Sequence, residues 1–130
     1  MKKVLIVEDN DLNLKLFCDL LTIKECEIIV SKDGGSVVDI ATTALPALIL
    51  MDIQLNSGIS GIDLISELKA NEMTKHIPII AITAFAMKTD EELISKSGCD
   101  MYLSKPVSIE TFFQAIDFFR SVVLQADHAV

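Results

Sequence analysis

Five short runs of apolar residues punctuate the chain: KVLIV (Lys3 to Val7), EIIVS (Glu27 to Ser31), ALILM (Ala47 to Met51), PIIAIT (Pro78 to Thr83) and MYLS (Met101 to Ser104). Runs this short and this continuously apolar predict strands covered on both faces, because a strand with one wet face would alternate with polar residues. Between the runs, apolar residues recur every three or four positions. Leu12, Leu16 and Leu20 predict one helical stripe, and Val37, Ile40, Ala41 and Ala44 a second. Ile62, Ile65 and Leu68 predict a third, and Ile109, Phe112, Ile116 and Phe119 the last. Breakers fall between these segments: Gly34-Gly35, Pro46, Pro78 and Gly98. Strand and helix in alternation predict βαβ units, whose right-handed crossovers build one doubly wound α/β sheet with helices on both faces. The domain is expected over residues 1–124, with 125–130 a short tail and no effector domain after it.

An open parallel sheet binds ligands beyond the carboxyl ends of its strands. Glu8, Asp9 and Asn10 follow the first strand, Asp52 the third, Thr83 closes the fourth, and Lys105-Pro106 follow the fifth. Three carboxylates in one crevice repel one another and raise each other's pKa values unless a cation joins them. A hard divalent ion with oxygen ligands suits them, Mg²⁺ best and Mn²⁺ as a substitute. Lys105 offsets a carboxylate or holds a phosphoryl oxygen, and Thr83 supplies a hydroxyl donor. These are the parts that phosphoryl transfer to a carboxylate requires. Asp52, alone at the middle strand, is the natural nucleophile, with Glu8 and Asp9 as metal ligands.

Composition narrows the partners. Eleven basic against nineteen acidic residues leave a formal charge of −8, which argues against nucleic acid and anionic membrane surfaces. The longest apolar runs fall well short of the ~20 residues a membrane span needs. The cysteines, Cys18, Cys26 and Cys99, are odd in number and lack zinc-type spacing, so a reduced cytoplasm is the simplest setting.

VLIVEDN, LILMDIQL, AITAFAMK and YLSKP stand in an order and spacing that resemble the receiver (CheY-like) domains of bacterial two-component response regulators, over almost the whole chain. The resemblance implies a flavodoxin-like (βα)₅ fold with strand order 2-1-3-4-5. It also implies Mg²⁺-dependent acceptance of a phosphoryl group from a sensor histidine kinase or histidine phosphotransferase, and signalling to a downstream protein target. Within the family the chain is most similar to single-domain cell-cycle regulators. By position, Asp52 is then the phospho-acceptor, Asp9 the direct metal ligand, Glu8 the second acidic position and the Gln54 carbonyl a further ligand. Thr83 and Tyr102 form a switch pair, Lys105 contacts the phosphate, and Pro106 follows it in what is often a cis peptide. Gln54 and Phe85 occupy positions that tune hydrolysis of the acyl phosphate, and a bulky ring at Phe85 predicts a long-lived phosphorylated state.

One departure stands out. Where the family usually has a proline after MDIQL, this chain reads NSGISG, with Asn56 at the proline position and one more residue before Gly61. A looser loop beside the acceptor is expected.

Each residue also has a plainer role. Asp52 alone could cap a turn, Glu8 and Asp9 could cap the helix that starts near Asp11, and Lys105 could be an ordinary surface lysine; their joint placement favours the site. The last helix is apolar over more than a core-facing stripe, which points to Phe113 or Phe118 on a partner-binding face. Rival functions fit poorly. A flavin phosphate would meet Glu8 and Asp9, a dinucleotide fold needs a glycine-rich turn after the first strand, and a haloacid dehalogenase-type hydrolase needs an Asp at Gln54. A binding module that no longer accepts phosphate is the remaining alternative.

Overall fold

In the computed structural model, residues 2–84 and 88–128 are described, with side chains over 2–84 and 90–120. Elements alternate throughout: β1 (Lys3–Val7), α1 (Asp11–Ile23), β2 (Glu27–Ser31), α2 (Val37–Ala44), β3 (Leu48–Asp52), α3 (Gly61–Ala70), β4 (Ile79–Thr83), α4 (Lys88–Ser97), β5 (Met101–Ser104) and α5 (Ile109–His128). The strands form one sheet in the order β2-β1-β3-β4-β5, every pair parallel. β3 and β4 are buried along their whole length, as their apolar runs require.

The sheet separates two cores. Leu5, Val7, Ile49, Met51, Ile79 and Ala81 face α2, α3 and α4, where Val37, Ala41, Leu64, Ile65, Leu68 and Ile94 meet them. Val4, Ile6, Leu48, Leu50, Ile80 and Ile82 face α1 and α5, where Phe17, Leu21, Phe112, Ala115, Ile116 and Phe119 close over them.

Several expectations change. The stripe Leu12, Leu16, Leu20 is not the buried face of α1: Leu12 and Leu16 are exposed, while Phe17, Leu20 and Leu21 are buried and Leu14 and Cys18 pack partly. Ile109, expected on the inner face of α5, is also exposed, because it opens the helix before the helix reaches the sheet. And α5 runs on to His128, into the residues expected as a tail. Strand β3 starts and ends one residue later than expected, so Asp52 is itself the last strand residue, paired with Ile82.

Candidate functional site: an acidic rim at the strand ends

β1 and β3 are neighbours, and their carboxyl ends bring Glu8, Asp9 and Asp52 together. One carboxylate oxygen from each lies within 4.8 Å of the others. Glu8 and Asp52 are buried and Asp9 is half-buried. Asn10, not Glu8 or Asp9, caps α1: its side chain accepts the Asn13 N–H at 3.0 Å. That leaves both acids to the rim.

Lys105 reaches in from the end of β5. Its Nζ lies 3.2 Å from Asp52 Oδ2 and 3.3 Å from Glu8 Oε1. The strand register fixes this approach, since Thr83 pairs with Ser104 and the Lys105 N–H donates to the Thr83 carbonyl at 2.7 Å. The Lys105-Pro106 peptide is cis, as the resemblance implied. Thr83 is buried at the end of β4, the neighbouring strand to Asp52.

Each oxygen of Asp52 thus has a partner, because the Gln54 N–H donates to Oδ1 at 3.0 Å. Glu8 is less well served. Its Oε2 accepts the Asn10 N–H at 3.3 Å, but among the described residues Oε1 has the Lys105 Nζ at 3.3 Å and no well-aligned hydrogen bond. Burial pushes the Glu8 carboxyl up to about 7, with a hydrogen bond to Asp52 and the Asp52 charge adding to the rise; Lys105 and the Asn10 amide pull it back in part. Three carboxylates facing one lysine leave negative charge and a buried oxygen unmatched. A hard divalent cation taking one oxygen from each acid fits that deficit.

The loop after Asp52 is tied down at several points. Gln54 and Ser60 form an antiparallel bridge, and the Gly61 N–H donates to the Ile53 carbonyl at 3.2 Å. Leu55 is buried and Ile59 packs on the same core. Leu55 lies against Gly34, where a Cβ would come within 2.8 Å of its Cδ1 and where φ is +82°. At the exposed tip, Ser57 Oγ donates to the Asp33 carbonyl at 2.7 Å, and the Asn56 N–H donates to Asp9 Oδ2. The one-residue-longer loop is tied to Asp9 and to the segment after β2 at its tip.

Gly61 is a further requirement of the site. A Cβ there would lie 2.4 Å from the Asp52 carbonyl oxygen and 2.7 Å from the Ile53 Cα, so α3 can begin against the end of β3 only with glycine. The sequence marked Gly61 as a spacing landmark, and nothing in it announced this close approach.

The expected switch and interface residues divide. Tyr102 is exposed on the edge strand β5. Phe118 is exposed, edge-on to Phe119. Phe113 is not: it packs partly into the core, with Lys24 Nζ 4.9 Å from its ring centre. Phe85 and Met87 lie outside the described residues.

A comparison with protein-family models matches the response regulator receiver domain over residues 4–117. The chain belongs to the response regulator receiver family. Among curated receivers it is 50% identical to the polar-differentiation response regulator DivK of Brucella ovis, across 88% of this chain and 93% of that one. DivK of Brucella anthropi is 49% identical over the same shares. The receiver domain of a sensor histidine kinase from Pseudomonas aeruginosa superposes with a TM-score of 0.83 at 29% identity, over 91% and 96% of the two chains. That domain was solved with magnesium coordinated in its active-site cleft. A histidine kinase receiver domain from Syntrophus aciditrophicus, 22% identical over 95% and 92% of the chains, shares the fold with a TM-score of 0.87. The protein is therefore a phosphoryl-accepting receiver of two-component signalling that resembles DivK, with an acidic cluster able to hold a divalent cation.

Proposed function

We propose that Asp52 is the phosphoryl acceptor, that Glu8, Asp9, Asp52 and the Gln54 carbonyl hold Mg²⁺, and that the donor is a histidine kinase or histidine phosphotransferase. The observation that carries this reading is the placement of Asp52: the terminal residue of a fully buried strand, with Lys105 on one oxygen and the Gln54 amide on the other. In the transfer, an Asp52 oxygen attacks phosphorus as the bond to the donor histidine nitrogen breaks, and charge spreads over three equatorial oxygens. Lys105 exchanges its contact with the carboxylate for one with the phosphoryl oxygens. The Gln54 amide keeps the carboxylate oriented, and the Thr83 hydroxyl supplies a donor. When bound, Mg²⁺ neutralises part of the charge on the transferring group.

Thr83 and Tyr102 then act as a switch, the ring moving inward behind the hydroxyl, and Tyr102 with Phe118 forms part of the surface read by a downstream protein. Phe85, through its position two residues after Thr83, slows loss of the phosphoryl group. The half identity to polar-differentiation regulators supports a role in a cell-cycle phosphorelay. A cytoplasmic setting accords with the acidic composition, and among the described residues no helix is long and apolar enough to cross a membrane. The protein catalyses only its own modification.

Incubation with Mg²⁺ and acetyl phosphate tests the centre of this reading. Intact mass should rise by one phosphoryl group, and Asp52→Asn should abolish the gain. Labelling that persists in Asp52→Asn overturns the assignment.

A further inference from the structure

Two amides of one loop, two residues apart, each hold a different carboxylate of the rim: the Gln54 N–H on Asp52 Oδ1 and the Asn56 N–H on Asp9 Oδ2. We infer that the Asn56 backbone amide positions Asp9 for metal binding, so that the loop after β3 is a clasp which sets the metal affinity of the site. The inference rests on the metal reading above and adds a residue to it.

Asp9 stands on the segment between β1 and α1, half-buried, with one of its oxygens within 4.8 Å of those of Glu8 and Asp52. Mutual repulsion would swing an untethered carboxylate toward solvent. An amide on one of its oxygens fixes the rotamer, and with it the location of the other oxygen. A donor that orients a metal ligand in this way typically changes metal affinity by about 10- to 100-fold when lost.

The clasp is built to keep that amide in place. Its base is closed by the Gln54–Ser60 bridge, Leu55 is buried, and Ser57 Oγ ties the tip to the Asp33 carbonyl. Gly58, at φ +87° with open space around it, permits the return of the chain. The side chain of Asn56 takes no part in the bond to Asp9. Any residue with an N–H can serve at this position, and proline cannot.

That distinction gives the test. Asn56→Ala keeps the donor and Asn56→Pro removes it. Titration calorimetry with MgCl₂ should show Asn56→Ala binding as the parent protein does and Asn56→Pro binding about tenfold more weakly, both with unchanged far-UV circular dichroism. Independently of proline, the Asn56 amide proton in ¹⁵N-resolved NMR spectra should move upfield in Asp9→Ala, which has no carboxylate to accept it. Equal Mg²⁺ affinity for the alanine and proline variants, or an Asn56 amide indifferent to Asp9→Ala, overturns the inference and leaves the metal site intact. Failure of the parent protein to bind Mg²⁺ overturns both. Unfolding of Asn56→Pro transfers the decision to the NMR arm.

Discussion

Glu8 departs furthest from the chemistry of a free side chain. Its carboxyl, raised from 4.5 to about 7 by burial and by Asp52, holds a proton in the metal-free folded protein that the unfolded chain has already released. A raised carboxyl favours the folded state most strongly below 4.5, and that contribution is lost as the pH climbs through 7. The loss is on the order of 3 kcal/mol. Metal-free protein should therefore melt at progressively lower urea concentration between pH 5 and pH 7, and Glu8→Gln should flatten the dependence. The same proton must leave before a cation binds. Mg²⁺ affinity is thus expected to rise by up to about tenfold per pH unit up to 7 and to level off above it; calorimetry across that range checks it. Tyr102 offers a second test at this scale. It is the chain's one tyrosine, and there is no tryptophan, so intrinsic fluorescence reports its ring alone. Acetyl phosphate with Mg²⁺ should change that emission in the parent protein and not in Asp52→Asn. A phosphorylated protein with unchanged emission would remove Tyr102 from the switch.

At the scale of elements, the outcome for α1 shows where periodicity stops being informative. The helix DLNLKLFCDLLTI has leucines on more than one face, so two stripes of i, i+4 spacing compete, and only packing against β1 and α5 decides between them. The winning face turns on Phe17, whose ring stacks on Phe112 with centroids 5.3 Å apart. Phe17→Ala should cost about 3–5 kcal/mol in chemical denaturation, as for other buried aromatics. Leu12→Ala, on the face the spacing favoured, should stay within about 0.5 kcal/mol. The strands were legible for the opposite reason. Short apolar strings bounded by turn residues located Lys3–Val7, Glu27–Ser31 and Met101–Ser104 to the residue, although β2 and β5 lie at the sheet edges and are only partly covered, while the fully buried β3 and β4 were displaced or trimmed by one residue. The carboxylates and the lysine were legible too, because an open parallel sheet sends strand ends to one rim. The contacts of Asn56 and Gly61 were not. One acts through a backbone amide and the other through the lack of a Cβ, and neither leaves a mark in the pattern of polar and apolar positions.

Across the whole molecule, the sheet order β2-β1-β3-β4-β5 puts β3, which ends in Asp52, at the centre, with β1 on one side and β4 on the other. Each core is then built from every second residue of the same central strands. Leu50 and Ile80 face α1 and α5, while Ile49, Met51 and Ile79 face α2, α3 and α4. The α5 face is tied to the end of α1: Arg120 donates to the Lys24 carbonyl at 2.8 Å, and Lys24 pairs with Asp117 at 2.9 Å. Lys105, which answers the charges of Glu8 and Asp52, is among the last parts of the site in chain order. During synthesis the three acids therefore leave the ribosome well before their cationic partner. A nascent chain extending only through β4 carries Asp52 with no lysine beside it, so the phosphoryl acceptance proposed above requires the docking of the final strand.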